Sequence, residues 1–163
     1  KRYAKEAVLT FDSDEALIYS LGQKAKTVFE ELIIDKSRIS QYELITSETF
    51  TSYGVCQFSF VKSINGFNTN DTLSIAIDRD GKIKSYTGSR QGIFDNLTVN
   101  ADRSDIEKFI DEKVNSRYKN QTVKYNVNSM TIDKKKNKFY IRCFVGVETE
   151  EYITGDEYEY RLK

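Results

Sequence analysis

Two cysteines, many carboxylates and no histidine set the chemistry open to this chain. Without His it lacks the commonest general base, proton shuttle and metal ligand, which excludes His-based triads and His-based zinc sites. Cys56 and Cys143 lie on the apolar faces of predicted strands, at similar places in the two halves of the chain. Three readings of them stay open: small buried thiols, a disulfide pair, or a nucleophile that needs Lys or Arg to favour its thiolate. Glu148, Glu150, Glu151, Asp156, Glu157 and Glu159 supply enough carboxylates for a glycosidase-like pair. Acidic residues packed this densely into one loop and strand equally describe a face turned to water, and no apolar pocket is implied that would raise one of their pKa values. Asp78-Arg79-Asp80-Gly81 has part of a calcium-loop pattern, but the first and last ligand positions of an EF-hand fall on Ala76 and Thr87. A hairpin turn accounts for the same residues. Lys134-Lys135-Lys136 with Lys138 makes either an anion-binding patch or the solvated, aggregation-blocking tip of a hairpin. With 25 basic and 25 acidic residues there is no net field to gather nucleic acid or an anionic membrane, so neither is an expected partner. No cofactor or metal is expected.

The elements that must position these groups are legible from hydrophobic periodicity. Thr72–Ser89 carries the clearest pattern: Leu73, Ile75 and Ile77 alternate with Ser74, Ala76 and Asp78, and a second arm around Ile83 and Tyr86 follows Asp80-Gly81. This is a β-hairpin with one buried face. Asp12 with Glu15 suggests a helix start, followed by an apolar stripe at Leu17, Leu21, Ala25, Val28 and Leu32. Gly22 inside that helix predicts a close approach by another backbone. Ser104 with Glu107, next to Asp102, reads as the capping box of a second helix whose face is Ile106, Phe109, Ile110, Val114 and Tyr118.

The expected fold class is therefore α+β, a helix followed by antiparallel strands, twice, with strand order left open. Residues 1–95 form the first half, with a helix about 13–34 and strands about 42–51, 53–64, 72–79 and 82–88. Residues 96–163 form the second, with a helix about 103–118 and strands about 122–132, 138–148 and 157–162. Residues 65–71 read as a polar loop. Within it Asn65, Phe67, Asn68 and Asp71, together with the strand-edge residues Tyr158 and Tyr160, are the candidate contacts for a partner, because Tyr offers rigid amphipathic area and an open edge accepts a strand. In the opposing reading Phe67 closes the core and the tyrosines cover the sheet.

The run from Phe58 to Tyr86, FSFVKSINGFNTNDTLSIAIDRDGKIKSY, resembles the PepSY superfamily, named for peptidase propeptides and a spore-cortex protein. Phe60, Asn65-Gly66, Ile75, Ile77, Asp78, Gly81, Ile83 and Tyr86 carry the resemblance, and the stretch from Asp102 onward resembles a more divergent second copy. The resemblance implies cystatin-like helix-on-sheet halves in an extracytoplasmic bacterial protein. It also implies a non-catalytic binding or regulatory role toward a protein partner, such as a peptidase or wall-lytic enzyme, with no catalytic residues to carry over. The start at Lys1 rather than Met adds the expectation of a trimmed precursor, with any membrane link made by an N-terminal anchor. A structural spacer in a larger envelope protein and a carboxylate-based hydrolase are the alternatives.

Overall fold

A computed structural model describes the backbone of residues 2–163 and the side chains from Asp14 onward. The elements are α1 (Arg2–Leu32), a 3-10 helix (Lys36–Gln41), β1 (Tyr42–Thr46), β2 (Val55–Ile64), β3 (Phe67–Asp78), β4 (Ile83–Ser89), α2 (Arg103–Arg117), β5 (Lys124–Lys135), β6 (Lys138–Glu148) and β7 (Ile153–Arg161). The fold is α+β. Its seven strands form a mostly antiparallel sheet in the order β1-β2-β3-β5-β6-β7, with β4 paired to β3. Among the described residues no helix is long and apolar enough to cross a membrane.

Several boundaries differ from expectation for identifiable reasons. The helix begins well ahead of Asp12, so that residue does not cap it; the Ala, Leu, Lys and Glu residues before it are good helix formers and extend the turn backwards. Asp12 and Ser13 have side chains outside the described residues. The first strand stops at Thr46 rather than running to residue 51, because the chain turns back through Gly54 at φ 70 before β2 begins at Val55. Residues 65–71 are not a loop: Asn65 (φ 49) and Gly66 (φ 79) close a two-residue turn, and β3 starts at once with Phe67. Lys136 (φ 50) and Asn137 (φ 62) do the same between β5 and β6, so β5 continues to Lys135 instead of ending near 132. The last strand starts at Ile153, four residues before the predicted 157, because Thr149 closes the preceding turn by accepting the Tyr152 N–H on its hydroxyl at 3.1 Å.

The chain divides into two units: residues 1–62 with 71–91, and residues 63–70 with 92–163. Residues 63–70 thus go with the second unit, although sequence order put them in the first half. In the first unit Ile18, Leu21, Ala25 and Phe29 of α1 share a buried cluster with Cys56, Phe58 and Phe60 of β2 and Leu73, Ile75 and Ile77 of β3. Phe29 stacks on Phe60 with ring centroids 4.1 Å apart and meets Tyr42 edge-on at 5.3 Å. Such aromatic contacts add about 0.5–1.5 kcal/mol beyond area burial. Among the described residues no backbone of another element lies within 4 Å of a Cβ added at Gly22; its nearest neighbour is a ring carbon of Phe58 at 3.4 Å, so the close approach is by an aromatic side chain.

In the second unit Ile106, Ile110 and Val114 of α2 cluster with Ile132 of β5 and with Ile141, Cys143, Val145 and Val147 of β6. Phe67, Phe94 and Val99 belong to the same cluster. The box that starts α2 is Asp102 with Asp105, each side chain accepting the other's backbone N–H. Ser104 Oγ instead donates to Asp102 Oδ1 at 2.6 Å, and Glu107 is taken by Arg103. An aspartate at the cap outcompetes serine because its carboxylate accepts from both neighbours at once.

Candidate functional site

The site begins with a turn that only certain residues permit. Asn and Gly tolerate positive φ, and the Asn65-Gly66 pair uses this to reverse the chain between β2 and β3. The Asn65 amide also donates to the carbonyls of Val99 and Ala101, both at 3.1 Å, fastening the turn to the segment that leads into α2. Phe67 follows, only 4% exposed, as part of the second unit's core. One residue on, the alternation of the strand turns Asn68 to the other face, where it is half-buried.

Here β3 meets β5 in the sheet's parallel pairing, with rungs Asn68↔Thr131 and Thr69↔Ile132. On its other side β5 is paired with β6 along its whole length, from Lys124↔Glu148 to Lys135↔Lys138. Ahead of Thr131, therefore, among the described residues, β5 has a strand neighbour on the β6 side alone. The β5–β6 register slips between Val127 and Ser129, leaving Asn128 as a bulge. This open edge, the Asn65–Asn68 end of the hairpin and Arg103 at the start of α2 enclose a cleft of about 420 Å³. Of its ten lining residues Arg103 alone is charged. Its Nε donates to Glu107 Oε1 at 2.9 Å from a side chain that is 71% exposed. No carboxylate lines the cleft, so it is not a cage for a hard cation; it offers amide and hydroxyl side chains, one guanidinium and a strand edge. A second cleft of about 440 Å³ lies in the first unit between Asp14–Ile18 of α1 and Thr46–Thr49.

Of the six candidate contact residues, the structure brings Asn65, Phe67 and Asn68 together in this cleft. The other three lie elsewhere. Asp71 is fully buried in the first unit, accepting from Tyr42 Oη at 2.8 Å with Arg38 Nη2 3.7 Å away. Tyr158 donates to Asp156 at 2.9 Å, and Tyr160 meets Phe109 of α2 edge-on at 5.3 Å, so both tyrosines are half-buried against their own unit. The residues that periodicity did not single out are Arg103 and 127–131. The signal present for them was Asn126 and Asn128 within one strand, since Asn is depleted in strands and marks irregularity.

Several of the other chemical groups have local employment. Cys56 and Cys143 are buried free thiols, and burial pushes the Cys143 thiol up to about 11 and raises Cys56 as well. Asp78 closes its own turn, accepting the N–H groups of Asp80 at 3.0 Å and Lys82 at 2.9 Å. Glu157 and Asp133 both hold Arg142, at 2.8 and 3.2 Å, while Glu159 meets Lys135. Asp156 is buried, held by Tyr118 Oη at 2.8 Å, Tyr158 and Arg117. Burial, together with the hydrogen bond to Asp156, pushes Tyr158 up to about 12 and raises Tyr118 too. Comparison with protein-family models, curated proteins and solved structures returned no match.

Proposed function

We propose that this chain is a non-catalytic binding module of the bacterial cell envelope, which holds and restrains a protein partner of the peptidase or wall-lytic class. On this reading its two halves are divergent copies of a cystatin-like, PepSY-like unit, each a helix across its own antiparallel strands. What supports the repeat is the shared order: α1 precedes β1–β4, α2 precedes β5–β7, and each helix shares its buried stripe with the strands that follow it. The observation that carries the binding role is the concave, polar cleft with a strand edge open to it. Edges of this kind are a recurring means by which one protein grips an extended segment of another.

The test is inhibition. Purified chain is titrated into envelope extracts of Gram-positive bacteria, with peptidase and wall-lytic rates followed by dye release. A saturable fall in one of those rates, with the affected enzyme co-eluting with the chain, is the expected result. Unchanged rates across the titration, or turnover of wall polymer or peptide by the chain alone, would overturn the proposal.

A further inference from the structure

The chemistry of the cleft narrows the partner further. A strand edge presents alternating N–H and C=O groups at the spacing of another extended backbone, so its natural complement is polypeptide in β conformation. The lane beside β5 is already used this way at Thr131 and Ile132, where β3 lies in it. Ahead of those rungs the same lane is continued by the cleft and ends against the Asn65-Gly66 turn. A lane walled by a hairpin end on one side suits a single strand better than the edge of a second sheet. The volume of about 420 Å³ falls within the range of pockets that enclose small ligands or short peptide segments. Arg103 supplies the cleft's one charge, and its exposed pairing with Glu107 is of the weak, easily exchanged i,i+4 kind.

We infer that the cleft takes an extended segment of the partner by strand addition to β5, with an acidic side chain of that segment against Arg103. This rests on the binding-module reading and adds where and by what chemistry the partner is held. The bulge at Asn128 sits within the added ladder. It re-aims the residues on either side, which makes the register of the incoming strand specific rather than sliding.

The probe is an acetylated, amidated hexapeptide of alternating threonine and valine with one central glutamate. It is titrated into the full chain labelled with nitrogen-15. Saturable shifts confined to the amides of residues 65–68, 103 and 124–131, with Kd below about 1 mM, are expected. N-methylation of alternate peptide amides should weaken binding at least about tenfold, because it removes the ladder without touching the protein. Arg103→Glu, at an exposed position, should weaken the glutamate peptide about tenfold and favour a lysine peptide instead. Shifts at the β1, β4 or β7 edge, no shifts, or equal binding of the N-methylated peptide would each overturn the inference. So would a concentration-dependent dimer, seen by sedimentation, that occupies the same amides. Inhibition of an envelope enzyme that survives Arg103→Glu unchanged would overturn this site while leaving the binding-module reading intact. Peptide binding without any enzyme inhibition would do the reverse.

Discussion

A carboxylate removed from water destabilises the folded chain by several kcal/mol unless neighbours replace its solvation. Asp71 and Asp156 meet this demand in a similar manner, Asp71 with the Tyr42 hydroxyl and Asp156 with those of Tyr118 and Tyr158, each with an arginine nearby. Asp156→Ala would strand the Tyr118 and Tyr158 hydroxyls, while Arg117, more than half exposed, stays hydrated, so it should cost about 2 kcal/mol in urea unfolding. Asp156→Asn, which keeps one acceptor oxygen, should cost clearly less. The same cluster sets an alkaline limit. Folded Tyr158 keeps its proton to about 12, whereas an unfolded tyrosine loses it near 10. Between those values the folded chain binds more protons than the unfolded one, so this contribution is complete below pH 10 and lost as pH rises toward 12. A melt series across that window should show Tm falling more steeply for the native chain than for Tyr158→Phe. The thiols offer a separate check: with Cys143 held near 11 and Cys56 also raised by burial, neither presents much thiolate at neutral pH. Iodoacetamide should leave both unmodified in buffer and label both, without reductant, in denaturant.

At the level of elements, α1 has an unused reserve. Gly22 is buried in mid-helix at a cost of about 1 kcal/mol relative to Ala, and the nearest atom to an added Cβ is a Phe58 ring carbon at 3.4 Å, ordinary contact. Gly22→Ala should therefore stabilise the chain, raising Tm by a few degrees; a lower Tm would mean that the ring cannot accept the methyl. The elements legible in the sequence were those with one buried face. The alternation of β3 from Leu73 to Ile77 is borne out residue by residue, whereas of the α1 stripe Leu21 and Ala25 are buried, Leu17 and Val28 pack half-buried against the same cluster, and Leu32 is exposed. The Asn65-Gly66 turn was legible as a turn but not as a two-residue one. Asn68 and Asn70 look like loop residues in composition, yet they occupy the outward positions of a strand whose inward positions are Phe67, Thr69 and Asp71. Half of the cleft was hidden for a related reason. The open edge of β5 depends on where a distant strand starts, and local periodicity carries no information about which strands lie side by side.

For the molecule as a whole, the unit boundaries matter more than the midpoint of the sequence. Residues 63–70 lie between segments of the first unit but belong to the second, where Phe67 fills part of the core and Asn65 braces Val99 and Ala101. A fragment of residues 92–163 lacks that contribution. It should lose cooperative melting by circular dichroism, even though α2 and β5–β7 are all present. A sharp melt from that fragment, at the Tm of the second unit in the full chain, would contradict the division.

The loan of residues 63–70 also constrains how such a chain can be inherited. A recombination breakpoint in the stretch between β4 and α2 would deliver the second unit to a new gene without its borrowed octet. The two units are accordingly expected to travel through genomes as a linked pair, with single-copy offspring rare.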